Sequence, residues 1–198
     1  MAQMYSQAKL KANKRNALSK MAGPIRGSLM MYSGDHQEFY PDAVTKQEPA
    51  PKNSNQAFRR LIENGYVLDE ETFVVKGGAA RVDNDMSSPE RILAKGENHY
   101  ALAKGLRPNS NENLPLVWEA PLSGSWDPIW DSSRKRAEWG STWSDGTVLV
   151  LTVSGSVTFM EIESSVAGKE GPGRLVPTKK GPNPFHFKGD GDSLGPEW

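Results

Sequence analysis

No cysteine occurs in the 198 residues. Disulfides, thiolate nucleophiles and cysteine-based zinc sites are therefore excluded, whatever the redox compartment. A surplus of charge of one sign is also lacking, because 24 Lys and Arg balance 24 Asp and Glu. A general binder of nucleic acid or of anionic membrane needs a basic surplus, and this chain has none. No run of about 18 apolar residues is present, so no segment reads as a membrane-spanning helix. The first residues lack the apolar centre of a signal peptide. Neither a P-loop nor a GxGxxG motif occurs. Apolar residues are sparse, at 36% of the chain, whereas 19 glycines and 14 prolines are spread along it. A modest core and much irregular chain follow from that balance.

What is present begins with a long helical pattern. Nothing in 2–22 breaks a helix, and QAKLKANKRNALSK (7–20) is rich in good helix formers. Leu18, Met21, Ala22, Ile25, Leu29 and Tyr32 recur at helical spacing and form one apolar face. Pro24 removes one backbone bond inside this run, which predicts a kink there rather than an end. Residues 1–15 are mostly polar, with Lys9, Lys11, Lys14 and Arg15 close together, so this half has little to pack against in its own chain. SGDHQEFYPDA (33–43) carries turn chemistry into a Phe-Tyr-Pro anchor. Ser54 or Asn55 can cap a second helix over 56–64, whose buried face is Ala57, Phe58, Leu61 and Ile62, with Gly65 as its stop. Strands are expected at 72–75, 98–103, 116–120, 147–153 and 156–162, the last two joined by a tight hairpin turn at Ser154-Gly155. Beyond Glu163 periodicity is lost, and 164–198 reads as an extended, loosely held Gly/Pro tail. Helices first and strands after predict an α+β fold, with an antiparallel sheet wrapped on the apolar half of the long helix.

Few residues suggest chemistry. His99, in GENHYALAKGL (96–106), has no nucleophile or orienting acid in its local pattern, and it reads as a strand residue. His36 and His186 lack metal-binding spacing. GDSLG (191–195) fits GxSxG around Ser193, but no chain is left for the helix that a nucleophile elbow requires; SQAK (6–9) lacks its companion motifs. An enzyme is therefore not expected. Asp83 with Asp85, and Asp190 with Asp192, are DxD-like pairs of hard oxygen ligands and are the calcium candidates; otherwise no cofactor is expected. Trp118, Trp126, Trp130, Trp139 and Trp143 crowd one segment. They serve either as bulk for a small core or, through Trp126, Trp130, Trp139 and Trp143, as a platform for carbohydrate or peptide.

In this order, NALSKMAGPIRGSLMMYSGDHQEFYPDA, SNQAFRRLIENGYVLDEETFVVKGG, GENHYALAKGL with NLPLVWEAP, and GTVLVLTVSGSVTFMEI resemble the type II secretion pseudopilins and type IV pilin-like proteins over 16–162. Ser154 stands where that family commonly has Asp in its final hairpin. The resemblance implies a pilin-like domain at 1–163 (long helix 1–32, short helix and sheet 33–163) followed by the tail 164–198. It implies a non-catalytic filament subunit, with the helix face from Leu18 to Tyr32 used in the core and in assembly. It also implies a basic leader and a membrane helix of about 20 apolar residues preceding this part. Its partners would then be other pilin or pseudopilin subunits and secretion proteins, not nucleic acid. Its place would be the cell envelope, anchored in the inner membrane with the globular part in the periplasm. Some relatives hold calcium in a head loop.

Overall fold

The structure, a computed structural model, describes residues 2–44, 49–123, 126–164, 170–175, 183–186 and 192–197. One helix runs unbroken from Ala2 to Asp35 in three parts: α1 (Ala2–Lys20), a π turn (Met21–Ile25) and α2 (Arg26–Asp35). Pro24 sits inside the π turn, and the Arg26 N–H reaches back to the Met21 carbonyl, one residue further than in an α-helix. Proline has no N–H, and its ring crowds the carbonyl four residues earlier; widening the turn by one residue relieves that crowding without ending the helix. The extra residue rotates everything before it. Met21, Ile25, Leu29 and Tyr32 are buried as expected, but the position a full turn earlier belongs to Ala17 (0% exposed) and not to Leu18 (38%). Ala22 is exposed as well. The expected stripe is thus corrected by one residue on the N-terminal side of the bulge.

After the helix, Tyr40, Pro41 and Asp42 are all buried and anchor the chain. Arg60 Nη1 donates to the Pro41 and Ala43 carbonyls at 2.8 and 2.6 Å, and Asp42 Oδ2 accepts from the Gly105 N–H at 2.7 Å. The second helix, α3 (Ser54–Glu63), is capped by Asn53, whose side chain accepts from Gln56 N–H. It closes as expected at Gly65, with Gly65 N–H bonded to Ile62 O and Tyr66 N–H to Leu61 O. Ala57, Phe58, Leu61 and Ile62 face inward. The strand expected at 72–75 is instead a 3₁₀ turn, Glu70–Phe73, because the Asp69 carboxylate caps it by accepting from Thr72 N–H and Oγ1. That local bond outweighs the β preference of the Thr-Phe-Val-Val run.

Among the described residues, seven strands form one sheet: β1 (Tyr100–Lys104), β2 (Pro115–Glu119), β3 (Trp130–Asp131), β4 (Thr147–Thr152), β5 (Val157–Ser164), β6 (Pro172–Leu175) and β7 (Asp192–Leu194). Their order is β3-β6-β5-β4-β2-β1-β7, and every pairing is antiparallel. The expected hairpin joins β4 to β5 through Ser154 and Gly155, with Leu151 opposite Val157 and Thr152 N–H bonded to Ser156 O. Gly155 has φ +85°, in the left-handed region that favours glycine, and the Arg26 guanidinium of α2 lies against this turn where a Cβ would otherwise stand. The stretch read as a loose tail supplies β6 and β7, and its last described residues are laced to α3 by Ser54 N–H to Gly195 O and Glu197 N–H to Asn55 Oδ1.

Both faces of the sheet are covered. Tyr100, Leu102, Leu149 and Leu151 pack toward the helices, whereas Ala101, Ala103, Val148 and Val150 pack into a second cluster with Trp118, Trp130, Leu175 and Phe185. The continuous apolar run TVLVLTV is therefore what a strand buried on both sides requires. Among the described residues, no helix is long and apolar enough to cross a membrane.

Two outcomes check this architecture. Leu18→Ala should change stability by no more than about 0.5 kcal/mol, whereas Ala17→Leu should cost about 1–3 kcal/mol by overpacking, both read from urea melts. The reverse ranking would restore a plain α-helical register. Burial pushes the Asp42 carboxyl up from 3.8 to about 6, the Gly105 N–H offsetting part of the rise. The folded state therefore holds the proton more tightly than the unfolded chain, and Asp42 costs stability as pH climbs from about 4 to about 6, by about 2–3 kcal/mol in all. Asp42→Asn, which keeps an oxygen for Gly105, should be more stable than wild type above pH 6 and equal to it below about pH 4. A constant difference across that range would refute the assignment.

Candidate functional site

His99 lies just before β1 and is 2% exposed. Its ring stacks on Trp139, centroids 5.8 Å apart, and presses so close to Gly78 that a Cβ there would stand 2.8 Å from Cε1. Neither ring nitrogen has a hydrogen-bond partner among the described residues. Burial, with Arg136 and Arg81 nearby, holds its pKa well below the ordinary histidine value. The imidazole is thus neutral, walled in and without an orienting acid, unlike the arrangement a general base requires. His36 instead closes the long helix, Nδ1 lying 2.8 Å from Tyr32 O and the ring stacked on Tyr32.

Beside His99 lies a buried ionic network that local patterns did not reveal. Glu119, at the end of β2, is fully buried and accepts from Arg136 Nη2 at 2.6 Å, from Trp143 Nε1 at 3.0 Å and from Leu149 N–H at 3.1 Å. Burial raises its pKa, and Arg136, Leu149 N–H and Trp143 oppose that rise. The Arg136 guanidinium also covers the Trp143 ring at 4.2 Å. Pairing of β2 with β4 sets Glu119 beside Leu149, and the segment leading into β4 carries Arg136 and Trp143 to them.

The tryptophans are divided between the two cores. Trp118 and Trp130 are fully buried and Trp143 is 2% exposed, as the reading of these side chains as core bulk requires; of the alternative platform, Trp130 and Trp143 are inside and cannot belong to a surface. Trp143 packs against Phe159 in the first core, whereas Phe185, from the tail, covers the second. It meets Trp118 at 4.9 Å and Trp126 at 5.3 Å, both edge to face, and Trp130 at 6.4 Å. Trp126 donates to Phe185 O and Trp130 to Glu119 O, so these indole N–H groups are satisfied internally. Trp126 and Trp139 are part-buried.

The serine motifs also find their places. Ser6 and Lys9 are exposed on α1. Ser193 lies in β7, opposite Ala103 of β1.

The calcium candidates separate. Asp190 lies outside the described residues, and Asp192 belongs to β7, opposite Lys104. Asp85 turns to Arg91 Nη1 at 2.7 Å and accepts from Ser87 N–H, away from Asp83 as a ligand pair. Asp83 instead joins Glu70 and Glu97, with carboxylate oxygens of all three within 4.8 Å of one another. Glu70 and Glu97, 23 and 14 residues from their bonding partners Leu93 and Asp83, carry no local signal for this cluster.

The long helix supplies the exposed feature. Leu10, Leu18 and Phe159, with the stems of Gln7, Lys11, Lys14 and Arg15 and with Asp145, line an open depression of about 400 Å³ between α1 and the sheet. Lys14 fastens this half of the helix: Nζ is 2.6 Å from Asp145 Oδ2, 2.9 Å from Thr147 Oγ1 and 4.0 Å above the Phe159 ring. Residues 6–9, 11 and 12 are exposed.

No protein-family model matches this chain, and no curated protein or solved structure is significantly similar to it.

Arg136→Met should cost about 3–5 kcal/mol in urea melts, because it strands a buried carboxylate. Adding Glu119→Gln, which removes the charge but keeps an acceptor for Trp143, should recover part of that loss. A single variant within about 1 kcal/mol of wild type would show that the ion pair does not support this face of the sheet.

Proposed function

We propose that this protein is a pilin-like structural subunit that acts by assembly, not by catalysis, in a type II secretion or type IV pilus-like filament of the cell envelope. The carrying observation is the division of its one long helix. From Ala17 to Tyr32 the helix is seated on the sheet through Ala17, Met21, Ile25, Leu29 and Tyr32. Before Ala17 it is held at Lys14 and Leu10, with most of its surface turned outward. From Ala2 to Asp35 it extends roughly 50 Å at 1.5 Å per residue. A polar helix of that reach gains little from its own fold. It gains more where neighbouring copies cover it, and head-to-tail contacts that do not close grow into filaments. The burial of His99, with no hydrogen-bond partner among the described residues, fits a structural role for the residue that most invited a catalytic one.

The native absence of cysteine makes the test direct. Single cysteines at Ala8, Ala12 and Ser19, all exposed on α1, are introduced into the protein in its own cells and oxidised. Disulfide-linked dimers at one or more of these positions are expected. Monomer alone at all three would remove the assembly reading.

A further inference from the structure

We propose that Glu70, Asp83 and Glu97 form a calcium site that pins the long connection between α3 and β1. This proposal is independent of the assembly reading. Residues 74–99 contain neither helix nor strand. A structureless connection of that length inside a packed domain is uncommon and calls for something to hold it. Side chains of α3 do part of this: Asn55 Nδ2 donates to Leu93 O and Ala94 O, and Arg59 Nε to Ile92 O. The acidic side chains clasp the same segment from the other side. Glu70 Oε1 accepts from Leu93 N–H at 2.5 Å, and Glu97 accepts from Asp83 N–H at 3.0 Å and Ala94 N–H at 2.6 Å.

Two observations point past this clamp to a ligand. The three residues bring carboxylate oxygens within 4.8 Å of one another, although Glu70 is 0% and Glu97 6% exposed. Like charges gathered away from water repel, and each is costly to desolvate. No lysine or arginine forms an ion pair with any of the three among the described residues; the neighbouring Arg91 is spent on Asp85. Second, Glu70 Oε2 is buried beside this cluster and makes no hydrogen bond of normal geometry among the described residues, the Asn84 N–H being near the carboxylate without closing such a bond. Its sister oxygen is already bonded to Leu93, so Oε2 is the oxygen left to serve a ligand. Buried polar atoms are rarely left unpaired, and a cation satisfies the orphan oxygen and the repulsion together.

Coordination chemistry favours one ion. Ca²⁺ takes about six to eight oxygens at about 2.3–2.6 Å in flexible geometry, whereas Mg²⁺ demands a near-ideal octahedron at about 2.0–2.1 Å. An irregular set of three carboxylates, two of them already fixed by backbone N–H groups, suits Ca²⁺ better. Asp83 is exposed, so the ion has a solvent-facing entry, and water completes the shell there.

The test is calorimetric titration and thermal melting of the whole chelator-treated chain with CaCl₂, and with MgCl₂ for comparison. Calcium should bind, and a hundredfold excess over Kd should raise Tm by roughly 5–10 °C, with a smaller effect from magnesium. Asp83→Asn, at an exposed position, should weaken calcium binding at least about tenfold, and Glu70→Gln should do the same where it folds; Asp85→Asn should leave binding unchanged. No binding up to roughly 10 mM, beyond the weakest calcium modules, would overturn the proposal and leave a proton shared between carboxyl groups as the occupant. Binding that survives Asp83→Asn, or that is lost with Asp85→Asn, would also overturn it.

Discussion

Seating of the helix stripe on the inner face of the sheet is the contact on which the remainder of the molecule depends. Met21, Ile25, Leu29 and Tyr32 are each at most 1% exposed. Burying side chains of this size contributes about 1.5–3 kcal/mol apiece, set against a net domain stability of about 5–15 kcal/mol. The surface anchor at Lys14 is a smaller effect, since an ion pair at a partly exposed position contributes about 1 kcal/mol or less. The hierarchy explains why the helix is firmly held over its second half and lightly over its first.

The π turn around Pro24 gives this contact its register. A proline in mid-helix normally breaks or kinks the rod. Here one added residue lets the helix continue, at the expense of turning Leu18 outward and Ala17 inward. Small Ala17 lies flush with the sheet, and large Leu18 joins the rim of the depression beside Phe159. The exposed apolar rim and the tight seat are thus two results of the same local accommodation.

Much of this was legible in the chain. The long helix, α3 with its Gly65 stop, the β4–β5 hairpin and the α+β class follow from periodicity and turn chemistry, which are local signals. Four things were not. The bulge moves a helical face by one residue, and a periodicity count assumes a uniform pitch. The Thr-Phe-Val-Val run has the composition of a strand, and the single Asp69 carboxylate decides against it. The Gly/Pro tail has no period, yet Phe185 and β6 and β7 find their places because the sheet already offers a face and edges. Glu119 with Arg136, and Glu70 with Asp83 and Glu97, are brought together across long stretches of chain, so only the folded structure reveals them.

The outermost strands are very short: three residues in β7 and two in β3. A free backbone ladder of that length is a poor template for a visiting strand, and the longer apolar strands β2 and β4 are enclosed on both flanks. Copies of this protein at high local concentration can therefore crowd side by side without zipping into cross-β aggregates. At the described edges, contacts between copies are thereby left to side chains, which can be tuned and reversed, more than to main-chain pairing, which is hard to undo.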